Sequence, residues 1–241
     1  MIINRIWQDK GEVIRLLQAK EKTALPNNIA NESGIPVNAW INCSTFNMNN
    51  GDCLGRNQGN LYDNRPDVNQ FYSVVIFKDG SYKYGIMQSW DYPQSDYPVT
   101  AGFSVQAVLI SNKQRCSLLS KDIGITDARL KQVTGNILVG CTTDGRWGFF
   151  YAKASANDIA DQLARELTLR DLFLLDGGGS CEMRLFNKNI VATQRKMANI
   201  LAICPPEETD YKEKYEMLRL KSTALIKDLR TRLDEFEKEI K

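Results

Sequence analysis

The sequence predicts an α+β fold: a mixed, largely antiparallel sheet with packed helices, followed by a C-terminal coiled-coil helix. Three observations carry this. Short β-branched or aromatic runs alternate with turn dipeptides through the middle of the chain, two of those turns are Asp-Gly pairs suited to hairpins, and the last thirty residues change to a charged text with heptad spacing. The predicted division is a globular domain over 1–206 and an oligomerisation helix over 207–241.

The elements follow in order. Ile3, Ile6, Trp7, Val13, Ile14, Leu16 and Leu17 mark residues 2–20 as a strand or short helix running into a helix. Strands are expected at Val37–Ile41, Tyr72–Lys78, Ser81–Met87, Ala107–Ile110, Ile137–Thr142 and Trp147–Ala152. Asp79-Gly80 and Asp144-Gly145 each separate two of them, which argues for antiparallel pairing. Ser155 is placed to cap a helix reaching Leu169, with Asp158 in its first turn and Ile159, Leu163 and Leu167 on one face. Leu172 to Leu175 is wholly apolar and reads as a strand buried on both faces. A strand from Cys181 to Phe186, a turn at Asn187-Lys188-Asn189 and a strand from Ile200 to Ile203 complete the domain. Pro205-Pro206 closes it, because proline neither donates to a ladder nor continues a helix. Beyond it, Tyr211, Tyr215, Leu218, Ser222, Leu225, Leu229, Leu233, Phe236 and Ile240 form a narrow stripe with one stutter, which predicts self-association through 211–240.

Composition narrows the chemistry. The 241 residues contain no histidine, which removes Ser-His-Asp and Cys-His machinery and His-ligated metals. Acid–base work then falls to carboxylates, Lys, Tyr or Cys, and any metal would be a hard cation such as calcium or magnesium. A net charge of +2 makes no electrostatic case for a nucleic acid polymer. No apolar run is long enough to span a membrane, and the N-terminal text lacks a signal-peptide core, so synthesis in the cytosol is expected. The six cysteines show no Cys-x-x-Cys pair and read as free thiols, with a Cys43–Cys53 bridge as the alternative.

The chemistry concentrates at Asp176-Gly177-Gly178-Gly179-Ser180. Glycines after a buried strand serve where the chain needs positive φ or where a ligand approaches the backbone, and successive N–H groups there can cradle an anion. Period-2 alternation puts Ser180, Glu182 and Arg184 on one side of the next strand and the apolar Cys181, Met183 and Leu185 on the other. A carboxylate, glycine N–H groups, a hydroxyl, a second carboxylate and a guanidinium would then share one surface.

Leu174-Leu175-Asp176-Gly177-Gly178-Gly179-Ser180 resembles the signature of the phosphodiester glycosidase family. Ala39-Trp40-Ile41-Asn42-Cys43-Ser44-Thr45-Phe46, Val139 to Gly145 and Arg195 to Ile203 resemble three further landmarks of that family in the same order, so the resemblance covers about residues 36–203. The chain departs from the pattern at Cys43-Ser44-Thr45, near Asn136 (Arg129 being the nearest upstream arginine), and at Glu182. The resemblance implies hydrolysis of a sugar-1-phosphodiester at its glycosidic bond, and such reactions generally use two carboxyl groups. Asp176 and Glu182 are the expected catalytic pair, ahead of Asp52 and Asp144. Arg184 and Arg195 would hold the phosphate, and Asn42, Ser180 and Gly177 to Gly179 would orient the sugar or phosphate. The alternative is a multimeric, non-catalytic binding module for a sugar phosphate, a teichoic-acid-like glycan or a nucleotide signal, an architecture that would suit a virion-associated phage tail component.

Overall fold

The structure, a computed structural model, describes residues 1–21, 23–44, 54–57, 60–63, 72–86, 99–120 and 125–206. The chain divides into a unit Met1–Cys204 and a second unit Pro205–Lys241, nearly all of which lies outside the described residues.

Three antiparallel sheets build the first unit. The six-stranded sheet runs in the order β1 (Asn4–Trp7), β12 (Trp147–Ala154), β11 (Thr134–Thr142), β13 (Leu169–Leu174), β9 (Ala107–Ser111) and β10 (Gln114–Leu119). A five-stranded sheet runs β15 (Lys188–Val191), β14 (Met183–Leu185), β3 (Ala39–Asn42), β16 (Asn199–Cys204) and β2 (Val13–Gln18). The other five-stranded sheet runs β5 (Asn60–Asp63), β4 (Leu54–Asn57), β8 (Val99–Ser104), β6 (Tyr72–Phe77) and β7 (Tyr82–Ile86).

One core joins them. Val139, Phe149 and Phe173 of the first sheet pack with Leu16, Ile41 and Leu201 of the second and Val74, Ile76 and Phe103 of the third. The opposite face of the first sheet carries Leu138, Phe150, Leu172 and Leu174, covered by Leu130 of α2 (Asp127–Lys131) and Ile159 and Leu163 of α3 (Ala156–Glu166). The opposite face of the second sheet carries Leu17, Trp40 and Ile200, covered by Ile29 and Ala30 of α1 (Pro26–Glu32). α3 begins where Ser155 accepts the Asp158 N–H at 3.1 Å, and it stops at Glu166 because Leu169 opens β13.

The expected α+β class is corrected. Every strand pairing among the described residues is antiparallel, and the longest described helix has 11 residues, so the fold is sheet-dominated. No long coiled-coil helix is found there, and residues 207–241, which bear the heptad stripe, lie outside the described residues. The expected helix before Lys20 is also corrected: the segment forms β1 and β2, joined by a turn in which Gly11 has φ 90°. Ile14 and Leu16 enter one core and Leu17 another, so both faces of β2 are buried and its apolar text loses the alternation that signals a strand. Both Asp-Gly pairs are tight turns, with Gly80 at φ 82° and Gly145 at φ 85°. Cys116, Cys141, Cys181 and Cys204 are free thiols, while Cys53 lies outside the described residues.

A buried carboxylate ties the third sheet to the first. Asp171 of β13 is 3% exposed. Its oxygens accept from the Tyr82 hydroxyl, the Tyr84 hydroxyl at 3.1 Å, the Asn112 N–H at 3.0 Å and Arg170 Nε at 3.3 Å. Burial, together with the hydrogen bond to Asp171, pushes the Tyr82 phenol well up. Asp171→Ala strands the Tyr82 hydroxyl and the Asn112 amide, each worth roughly 1–3 kcal/mol when left unsatisfied in the interior, while Tyr84 keeps the Ser111 hydroxyl at 2.7 Å. The expected loss is about 3 kcal/mol in urea unfolding; a loss under about 0.5 kcal/mol would show that solvent satisfies these donors.

Candidate functional site

The end of β13 is where two sheets share backbone. Leu175 N–H donates to Ile137 of the first sheet at 3.0 Å, and Asp176 N–H donates to Cys43, just past β3 of the second, at 3.1 Å. Asn42, 1% exposed, brackets the loop that follows. Its Nδ2 donates to the Asp176 carbonyl at 2.8 Å, its Oδ1 accepts the Glu182 N–H at 2.9 Å, and its own N–H donates to the Glu182 carbonyl at 3.2 Å. One side chain thus holds both ends of residues 176–182.

The three glycines answer different demands. A Cβ on Gly177 would lie 2.6 Å from Arg129 Nη2 and 2.9 Å from the Gly135 carbonyl, so close approach excludes a side chain. Gly178 has φ 68°, in the left-handed region that glycine enters without penalty. A Cβ on Gly179 would lie 3.1 Å from the Arg195 guanidinium carbon. Residues Gly178–Ser180 form a 3-10 turn, and the Thr193 hydroxyl, donating to the Gly179 carbonyl at 2.8 Å, fixes its outer side. Arg195 N–H donates to that same hydroxyl at 3.1 Å, which sets the guanidinium over the turn, 3.5 Å from the Ser180 hydroxyl.

Two opposed effects act on Asp176. Burial raises its carboxyl above the ordinary value, while the Ser180 hydroxyl, the Gly177 N–H and the charges of Arg129 and Arg195 pull it back down. Burial prevails. Gln106 Nε2 reaches Asp176 Oδ1 at 3.4 Å. Burial depresses Arg129 in turn, against the supporting charge of Asp176. The Cys181 thiol is pushed up to about 12, by burial first and by Asp176 second. Beside Gly177, Arg129 Nη1 and Asn136 Oδ1 are both buried with no hydrogen-bond partner in the protein. Asn136, 0% exposed, uses its Nδ2 on the Ala154 carbonyl at 2.7 Å, which fixes the amide with its oxygen unused. A carboxyl whose pKa burial raises, two guanidinium groups and an unused donor and acceptor thus meet at one glycine turn. That set suits an oxyanion attached to a hydroxyl-bearing group.

The structure brings Asp176, Gly177, Gly178, Gly179, Ser180 and Arg195 to one turn, ties Asn42 and Glu182 to its frame, and carries Arg184 and Asp144 away. Asn42 is spent on backbone. Glu182 is 3% exposed, with its carboxylate accepting the Thr193 N–H at 2.7 Å; burial raises its pKa, against that hydrogen bond and the charge of Arg184. Arg184 donates to the Phe186 carbonyl at 3.0 Å and to Asn27, and lies 4.9 Å over Trp40, on the side that α1 covers. Alternation misplaced it because Ser180 belongs to a 3-10 turn and β14 spans only three residues. Asp144 sits at the hairpin tip at the far end of β11, roughly 20 Å along the strand from Ile137. Asp52 lies outside the described residues. Arg129, Asn136, Gln106 and Thr193 were missed as site residues, since each comes from a different part of the chain and none carries a local motif. Among the described residues no group of three Asp, Glu or Cys is placed to hold a metal ion.

The raised Asp176 carboxyl has a thermodynamic signature. Between the ordinary aspartate value of 3.8 and the native value, the folded protein binds more proton than the unfolded chain. Stability contributed by this group therefore falls as pH rises through that window. Asp176→Asn does not titrate, so its melting temperature relative to wild type should climb from pH 4 towards neutrality. A difference that stays flat from pH 4 to 8 in calorimetry would mean that burial does not shift this carboxyl.

The sequence matches no family model and no curated protein. Solved structures do match the fold. A hypothetical protein from Synechocystis aligns with a TM-score of 0.65 and 13% identity, over 83% of this chain and 58% of that one. The catalytic domain of zebrafish N-acetylglucosamine-1-phosphodiester alpha-N-acetylglucosaminidase, in a form auto-inhibited by its pro-peptide, aligns with a TM-score of 0.66 and 17% identity, over 84% of this chain and 83% of that domain. This chain spans little more than half of the Synechocystis protein and most of the zebrafish domain. At such identities the likeness is one of fold, and the chain shares the fold of that catalytic domain.

Proposed function

We propose that the Asp176 turn hydrolyses the glycosidic bond of a sugar-1-phosphodiester. The observation that carries this reading is the placement of the Asp176 carboxyl, its pKa raised by burial, between Arg129 and Arg195 on a glycine turn. The fold shared with the catalytic domain of an N-acetylglucosamine-1-phosphodiester alpha-N-acetylglucosaminidase agrees with it. In this reading the two guanidinium groups take the phosphate oxygens, which lowers the basicity of the departing group. Protonated Asp176 gives its proton to the bridging oxygen as the bond between C1 and that oxygen breaks. Water supplies the hydroxyl that C1 gains and releases a proton, so the products are a free sugar and a phosphate monoester. Glycosidases generally enlist a second carboxyl. Glu182 is committed to Thr193, so in this reading the proton released by the water passes to solvent.

That same commitment of Glu182 favours a second reading, in which the turn binds a sugar phosphate and leaves it intact. Incubation with UDP-N-acetylglucosamine, followed by chromatography of the released sugar, separates the two. For the hydrolytic reading, Asp176→Asn lowers turnover at least about a hundredfold, the usual scale for an acid–base group. Turnover should also fall as pH rises through the raised Asp176 value, since the acid must hold its proton. Arg129→Gln should act mainly on KM. Tight binding by the wild type without release of sugar decides for the binding reading.

A further inference from the structure

Away from the Asp176 turn, a groove of about 600 Å³ opens between α1 and the turn that joins β14 to β15. Asn27, Asn31, Trp40, Arg184, Phe186 and Asn187 contribute its polar and aromatic lining. Phe186 is 60% exposed and has φ 48°, a left-handed backbone that a bulky side chain rarely adopts. Its N–H donates to the Asn38 carbonyl at 2.6 Å, which pins the residue there. An exposed position at positive φ ordinarily suits glycine or asparagine, and a phenyl ring in its place marks strain retained for use. Arg184 adds the single formal charge of the lining. Its guanidinium carbon lies over the Trp40 ring, 4.9 Å from the centroid, the group donates to Asn27, and no carboxylate among the described residues is within ion-pair distance of it. Trp40, 5% exposed, has an indole N–H with no hydrogen-bond partner in the protein.

We propose that this groove binds an acidic oligosaccharide. A phenyl face takes the C–H face of a pyranose ring, three asparagine amides supply donors and acceptors for its hydroxyls, and the guanidinium takes its carboxylate. The cationic, carboxylate-free lining selects the anionic sugar over a neutral one. The groove is independent of the Asp176 chemistry, and its ligand should bind Asp176→Asn as it binds the wild type.

Calorimetric titration of the full chain with trigalacturonate and with neutral maltotriose tests this. Trigalacturonate should bind saturably and at least about tenfold tighter than maltotriose, on the scale of one charge-assisted contact. Phe186→Gly should lose about tenfold in affinity while its melting temperature rises, because glycine accepts φ 48° without strain. Arg184→Gln should abolish the preference for the acidic sugar. Absence of saturable trigalacturonate binding to the wild type, or equal affinity for maltotriose, overturns the proposal. So does unchanged affinity in both variants. A Phe186→Gly variant with a lower melting temperature would show that the ring is kept for packing, and would overturn its role in binding.

Discussion

Everything at the candidate site depends on β13 being buried on both faces. Phe173 and Leu175 enter the core shared by the three sheets, while Leu172 and Leu174 enter the layer beneath α3. A strand so placed has little freedom to slip or tilt, because a shift of one residue would exchange its two apolar sets between cores that they do not fit. Its end is fixed as firmly as its middle. Asp176 leaves the first sheet and at once donates to the carbonyl of Cys43, so the carboxyl stands where two sheets converge. Asn42 then closes the loop by holding the Asp176 carbonyl and the Glu182 amide together.

β13 also carries the buried carboxylate of Asp171, and the contrast with the half-buried Asp176 just past its end is informative. Asp171 receives two tyrosine hydroxyls, a backbone amide and an arginine, which together meet the cost of burying a charge. Asp176 receives a long contact from Gln106, a hydroxyl and an amide, with two guanidinium groups near but serving the turn as much as the carboxyl. Its burial is therefore incompletely compensated and its pKa rises. Arg129 is the counterpart: half-buried, with one nitrogen unused and its charge disfavoured by its surroundings. An anion entering this turn would relieve the cation, and a proton on Asp176 would remove the repulsion between that anion and the carboxyl. The pairing of under-satisfied groups of opposite sign is what distinguishes this corner from Asp171.

Locally encoded features were legible without coordinates. Asp79-Gly80 and Asp144-Gly145 are turns because positive φ is a property of the residue itself. Ser155 caps α3 because its hydroxyl needs only the amide three residues on. The glycine run after Leu175 pointed to Asp176 and Ser180, since a motif of that kind makes its demand within a few residues, whereas Arg195 came only through the resemblance of residues 195–203. The strands β2, β4, β5, β8, β10 and β15 were not read, and β1 was left between strand and short helix. In β2 the two-sided burial erased the alternation, and in β10 most positions face out and leave little apolar signal.

What the sequence by itself determined is the set of groups that work over short range: the turns, the cap, the doubly buried strand, the glycines and the absence of histidine. Only the tertiary structure decided which distant side chains join them. Arg129 and Asn136 reach Gly177 because β11 pairs with β13 and α2 precedes it, a register that no local pattern displays. Arg184, close to the motif in sequence, is drawn away by Trp40 and Asn27, while Glu182 is spent on the Thr193 amide that frames the turn. The physical reason is one of range: backbone preference acts over a turn, whereas burial and Coulomb interaction act between whatever the packed sheets bring side by side.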